Sequence, residues 1–141
     1  MLQTEIVRQT GPQPILRLGR KRQVLVVDDS QGVQEVLTKT LSFLGYDVTP
    51  AGNGIEAWRL FLTGSYDLVI TNLEMPLLNG WELFRLIKAR SPNTPVVVIS
   101  DACDETQWKK MNMNCMDSIL LKPFKLNDIE GTVRRLLDSG T

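Results

Sequence analysis

The sequence predicts an α/β fold: a doubly wound, parallel five-stranded sheet covered by helices on both faces. Three observations predict it. Short apolar runs recur along the chain, as in QVLVVDD (Gln23–Asp29), DLVIT (Asp67–Thr71) and TPVVVIS (Thr94–Ser100). Each is closed by turn residues and followed by a stretch of helical apolar period. The runs are apolar at consecutive positions rather than at alternate ones, as strands buried on both faces require. Strands alternating with helices build parallel sheets through right-handed crossovers.

Taken in order, residues 1–22 read as an extension punctuated by Gly11-Pro12-Gln13-Pro14, in which Ile15–Leu18 is either a short strand or packs on the body. The first strand, Gln23–Asp29, ends in two carboxylates. A helix follows from about Ser30, with Val33, Val36, Leu37, Thr40, Leu41 and Leu44 on its inner face and Gly45 at its C′ position. Tyr46–Ala51 is the second strand. The second helix places Ile55, Trp58 and Phe61 on one face and closes at Gly64. The third strand runs into DLVITNLEMPLLNG (Asp67–Gly80), whose loop leads to a helix with Leu83, Phe84 and Ile87 inward. Ser91-Pro92-Asn93 separates that helix from the fourth strand. A fourth helix covers Asp104 to about Met113, and Ser118–Leu121 is the fifth strand. The last helix turns Leu126, Ile129, Val133, Leu136 and Leu137 inward. The expected organisation is an extension over 1–22, one domain over 23–138 and a tail over 139–141.

Composition narrows the chemistry. A chain of 141 residues with 43% apolar content suits one globular domain with its own core. It has no histidine, which removes imidazole acid–base catalysis and imidazole metal ligation. Cys103 and Cys115 have neither metal-ligand spacing nor a CxxC pattern and read as reduced thiols. No apolar run has membrane-spanning length and no signal-peptide core is seen, so the expected location is the cytoplasm. The formal charge is zero, yet residues 1–22 carry five basic side chains against one acid. That basic arm is read as a solvated leader ahead of the acidic body.

The strand ends carry the chemistry. Asp28-Asp29, Asn72, Ser100 and Lys122 each close a strand, and a parallel sheet gathers its strand ends on one edge. Paired carboxylates beside a carbonyl-rich loop suit Mg2+. A hydroxyl and an ammonium suit a phosphoryl anion. A glycine-rich turn after the first strand is missing, and Asp28-Asp29-Ser30 in its place would repel a dinucleotide pyrophosphate.

From about Gln23 to Leu137 the chain resembles a response-regulator receiver domain of two-component signalling. VLVVDDS, DLVITNLEMPLLNG, PVVVIS and LLKPF carry the resemblance, in that order and at family spacing. It implies a flavodoxin-like sheet of order 2-1-3-4-5. It implies that Asp28, Asp29 and the backbone carbonyl of Glu74 hold Mg2+. By the same resemblance Ser100 is the switch hydroxyl, Lys122 pairs with the phosphoryl group, and the Lys122-Pro123 bond is cis. Two positions depart from the family. Asn72 stands at the phosphoacceptor position, where an amide lacks the nucleophilic carboxylate oxygen. Ile119 stands at the position of the switch aromatic. Both ends of the phosphorylation relay are altered, and the loss of a negative charge at 72 should weaken Mg2+.

The expected function is a single-domain receiver-like regulator, not phosphorylated at Asn72 and not an enzyme, acting through protein–protein contacts. The alternative is an ordinary phospho-accepting regulator carrying an Asp-to-Asn change at 72. A metal-dependent phosphate-handling enzyme is the third class, and it lacks a nucleophile or base beyond Asp28 and Asp29. The expected partner is a sensor histidine kinase or another signalling protein, with no small-molecule substrate, DNA-binding domain or membrane. The fourth helix, fifth strand and fifth helix form the family's usual output face and a dimerisation surface. Here that face includes Trp108, Lys109, Lys110 and Met111, with Met113 and Met116 nearby; core filler beneath a short helix is the simpler account of the methionines. Glu74 is a further candidate to supply a fixed negative charge toward Lys122.

Overall fold

A computed structural model of the chain describes residues 21–101 and 118–138. Five strands form one parallel sheet: β1 (Gln23–Val27), β2 (Asp47–Ala51), β3 (Leu68–Asn72), β4 (Val96–Asp101) and β5 (Ser118–Lys122). Their order is β2-β1-β3-β4-β5, as the resemblance implied. The described helices are α1 (Gln31–Phe43), α2 (Gly54–Thr63), α3 (Gly80–Arg90) and α4 (Leu126–Asp138). The basic extension through residue 20, the helix expected over 104–113, both cysteines, Trp108, Lys109, Lys110, Met111, Met113, Met116 and the tail lie outside the described residues.

The alternation of side chains along each strand explains why the strands are apolar at every position. Leu25, Val27, Val69, Val96 and Val98 face a core shared with α2 and α3 through Ala57, Phe61, Leu83, Phe84 and Ile87. Val24, Val26, Leu68, Ile70, Val97 and Ile99 face a second core with Leu37 and Leu41 of α1 and Ile129, Val133 and Leu137 of α4. Fully burying each such side chain contributes roughly 1.5–3 kcal/mol before entropy is charged against it.

The helix ends follow from local chemistry. Ser30 caps α1 by accepting the Val33 N–H, and Asn53 caps α2 by accepting from Glu56. Asn79 and Glu82 form a reciprocal capping box on α3. Helix α1 stops in a Schellman turn: Tyr46 N–H donates to Leu41 and Gly45 N–H to Ser42, with Gly45 at φ 101°. Helical spacing misplaces residues at the helix margins. Val36, Ile55 and Leu126, expected inward, are 51%, 41% and 51% exposed. Each lies beside the buried stripe, and the α2 stripe centres instead on Gly54, Ala57 and Phe61.

Among the described residues β2 is an edge strand, and it contains Pro50. Asp47 donates its N–H to Arg22 across the β1 side, so strand alternation turns the nitrogen of position 50 outward. There the missing donor breaks no ladder bond.

The loop from β3 to α3 is compressed. A Cβ at Gly80 would lie 2.3 Å from the Asn72 carbonyl oxygen and 2.9 Å from the Leu73 Cα, both backbone atoms. Gly131, inside α4, has nothing within 4 Å of a Cβ. Gly80→Ala is therefore expected to destabilise the fold by about 2–4 kcal/mol through forced backbone movement. Gly131→Ala is expected to stabilise it by about 0.5–1 kcal/mol by removing backbone freedom from the unfolded chain. Urea denaturation of the two variants beside the parent chain measures both.

Candidate functional site at the carboxyl ends of the strands

β1 and β3 are neighbours from which the chain winds in opposite directions, so their carboxyl ends flank the crevice of the sheet. Val27 pairs with Thr71 in register, which sets Asp28 and Asn72 at one level. Ser100 follows Ile99, the register partner of Asn72, and Lys122 ends β5 opposite Asp101. Topology thus brings to one edge all the strand-end residues singled out from the sequence.

Asp28 is buried, at 2% exposure, whereas Asp29 is exposed. Asp28 Oδ1 accepts the Ser30 N–H at 2.8 Å, and its backbone carbonyl accepts from the Gln34 side chain at 2.7 Å. Among the described residues Asp28 Oδ2 is buried without a hydrogen-bond partner. Gln34 carries no signal in the helical period, because its contribution is a side-chain bond back to the preceding loop. Ser100 is buried at 2% exposure, and Lys122 is half-buried beside a cis Lys122-Pro123 bond. Ile119 is half-buried against the core formed with α2 and α3.

Asn72 is 5% exposed. Its Nδ2 donates to the backbone carbonyl of Glu74 at 2.9 Å, while its Oδ1 is buried with no partner among the described residues. The hydrogen bond fixes the amide orientation, since the flipped amide would set two acceptor oxygens against each other. The same loop is held elsewhere: Leu73 donates to Ile99 and accepts from Gly80, each through its backbone. Leu77 occupies a left-handed conformation, φ 74°, and is 78% exposed.

The oxygens suit a hard cation in one half of the site only. Asp28 Oδ2 and Asn72 Oδ1 are orphaned buried acceptors, each costing roughly 1–3 kcal/mol unless a donor or cation meets it. The Glu74 carbonyl, the third expected ligand, already accepts the Asn72 amide. Among the described residues no group of three or more carboxylate, thiol or imidazole side chains is placed to hold a metal. A cavity of about 470 Å3 opens elsewhere, at the amino-terminal edge of the strands, where Gln23, Tyr66, Asp67, Arg90 and Thr94 line it. The Gln23 N–H donates to the Asp67 carboxylate there at 2.7 Å, joining the start of β1 to the start of β3.

Burial pushes the Asp28 carboxyl above its usual 3.8 and the neighbouring Asp29 adds to the rise, against the Ser30 N–H and the Lys122 ammonium, which lower it. A carboxyl raised in the folded state stabilises the fold while protonated, and that contribution is lost as pH rises through the folded value. Asp28→Asn keeps an acceptor for Ser30 and removes the buried charge. It is expected to raise Tm at neutral pH, with a gain that shrinks as pH falls toward 3.8. Thermal denaturation of parent and variant across that range tests the sign.

The chain is similar to proteins of known family. It is 32% identical over 118 residues to the transcriptional regulatory protein CusR of Escherichia coli, covering 83% of this chain and 52% of CusR. The chain thus spans about half the length of the curated relatives it matches. Its fold matches the chemotaxis protein CheY4 of Vibrio cholerae, with a TM-score of 0.77, 26% identity, and coverage of 84% of this chain and 100% of that one. It also matches the response regulator TrrA of Thermotoga maritima, solved in complex with Mg2+-BeF, with a TM-score of 0.74, 29% identity, and coverage of 82% and 99%. The response regulator receiver domain matches residues 24–134, spanning all five strands and the acidic edge they share, and the chain belongs to that family.

Proposed function

We propose that this receiver domain works in two-component signalling without phosphorylation at position 72, through contacts with other signalling proteins. The observation that carries the proposal is the buried Asn72 amide, engaged with Glu74 at the carboxyl end of β3. An ionised carboxylate oxygen there could attack phosphorus and expel a leaving group, but an amide offers no comparable nucleophile. Ile119, half-buried against the core, has no polar tip to exchange between exposed and buried positions. Asp28 and Asp29 would hold Mg2+, which when bound would offset their negative charge. Ser100 and Lys122 are the donors that would meet a phosphoryl group were an acceptor carboxylate present at position 72. The partners are a sensor histidine kinase or another signalling protein, and the face of β5 and α4 is the described part of the proposed output and dimerisation surface. No enzymatic activity is proposed.

A second reading has an observation in its favour. Asp28 and Lys122 interact electrostatically at the same edge as buried Ser100, as in an ordinary phospho-accepting regulator whose aspartate at 72 has become asparagine.

Intact-mass measurement after incubation with Mg2+ and acetyl phosphate tests what the two readings share. The chain as it stands is expected to gain no adduct, and Asn72→Asp is expected to gain one labile phosphoryl group. An adduct on the parent chain would overturn both readings and point to Asp28, Asp29 or Glu74. Size-exclusion chromatography of phosphorylated Asn72→Asp supplies the second arm. An unchanged oligomeric state is expected if the relay through Ile119 is lost; a shift would favour the ordinary regulator.

A further inference from the structure

We infer that the Asn72 amide is a built-in competitor of divalent cations: it occupies the Glu74 carbonyl and holds the β3–α3 loop in one conformation whether or not a cation is present. This deepens the reading of position 72 as a non-acceptor and rests on it.

The geometry supplies three parts. Asn72 Nδ2 donates to the Glu74 carbonyl at 2.9 Å from a side chain that is 5% exposed, so the bond is shielded from water. An aspartate in its place is acceptor-only when ionised and leaves that carbonyl for another donor or a cation. The loop is pinned on both sides of the bond, by Leu73 to Ile99 and Gly80 to Leu73, each through backbone groups, and by the capping box of Asn79 and Glu82. Glu74 therefore sits between fixed points, and a cation approaching its carbonyl meets the Asn72 N–H already aimed at the same oxygen, whose positive hydrogen opposes it.

Loss of charge and occupation of the carbonyl make opposite predictions for one variant. Asn72→Ala removes the donor without restoring a charge. If only the missing charge weakens Mg2+, this variant binds no tighter than the parent, because it has also lost a neutral ligand oxygen. If the amide competes, the freed carbonyl outweighs that lost oxygen and Asn72→Ala binds Mg2+ more tightly, by up to about fivefold, the full net strength of one ordinary hydrogen bond.

Isothermal titration with MgCl2 on the parent, Asn72→Ala and Asn72→Asp reads this directly. The expected order of affinity is parent weakest, Asn72→Ala intermediate and Asn72→Asp tightest. Equal or weaker binding by Asn72→Ala than by the parent would overturn the inference. A second readout needs no substitution by alanine. In nitrogen-15 spectra of the parent, the Asn72 side-chain amide and the backbone amides of residues 73–75 and 77–79 are expected to hold their positions at a Mg2+ concentration that saturates Asn72→Asp. Shifts in the parent matching those in Asn72→Asp would also overturn it. Failure here, with the parent still unmodified by acetyl phosphate, would leave the phosphorylation-independent reading standing. An adduct on the parent would remove both.

Discussion

Burial of both faces of the sheet is the constraint on which the rest of this molecule depends. Val24–Val27, Leu68–Ile70 and Val96–Ile99 are at most 1% exposed, and these stretches carry no polar side chain on either face. The polar groups that the chain does carry into its interior are displaced to strand termini, where backbone pairing ends and loops bring solvent near. Parallel topology then turns five separate termini into one edge. The site is a product of the packing, and its members need no proximity in sequence.

At that edge a single atom type decides the character of the pocket. Carboxylate and amide have the same shape, but one only accepts hydrogen bonds and the other also donates. At Asn72 the donor is used on the chain itself, at the Glu74 carbonyl. Asn72 thus serves as a structural tie in its own loop. The oxygen it leaves behind, together with the free oxygen of Asp28, keeps two unsatisfied acceptors in the interior. Those acceptors keep the acidic half of the pocket suited to a cation, even as the other half is engaged by the amide.

Most of the fold was legible in the sequence because burial on two faces leaves a strong imprint. Consecutive valines and isoleucines in β1, β3 and β4 suit a short strand covered on both sides and little else. Helix faces were less legible: Val36, Ile55 and Leu126 have the right spacing and the wrong side of the stripe, and spacing alone does not say where a curved sheet stops. The convergence of Asp28, Asn72, Ser100 and Lys122 followed from topology. Their bonds did not, because they depend on where individual carbonyls point. Neither the Gln34 bond to Asp28 nor the Asn72 bond to Glu74 has a spacing signature. Gly80 reads in the sequence as part of a turn, while its close approach to the Asn72 carbonyl is a matter of three-dimensional crowding.

Pro50 bears on how this domain meets other molecules. An extended peptide that tries to lengthen the sheet beside β2 needs a donor from each outward-facing nitrogen, and at position 50 it finds a pyrrolidine ring. A ladder added on that side is broken at the fourth of the five residues of β2, a feature that works against edge-to-edge association. Recruitment to that flank would then depend on side-chain recognition, with no continuous backbone ladder to extend.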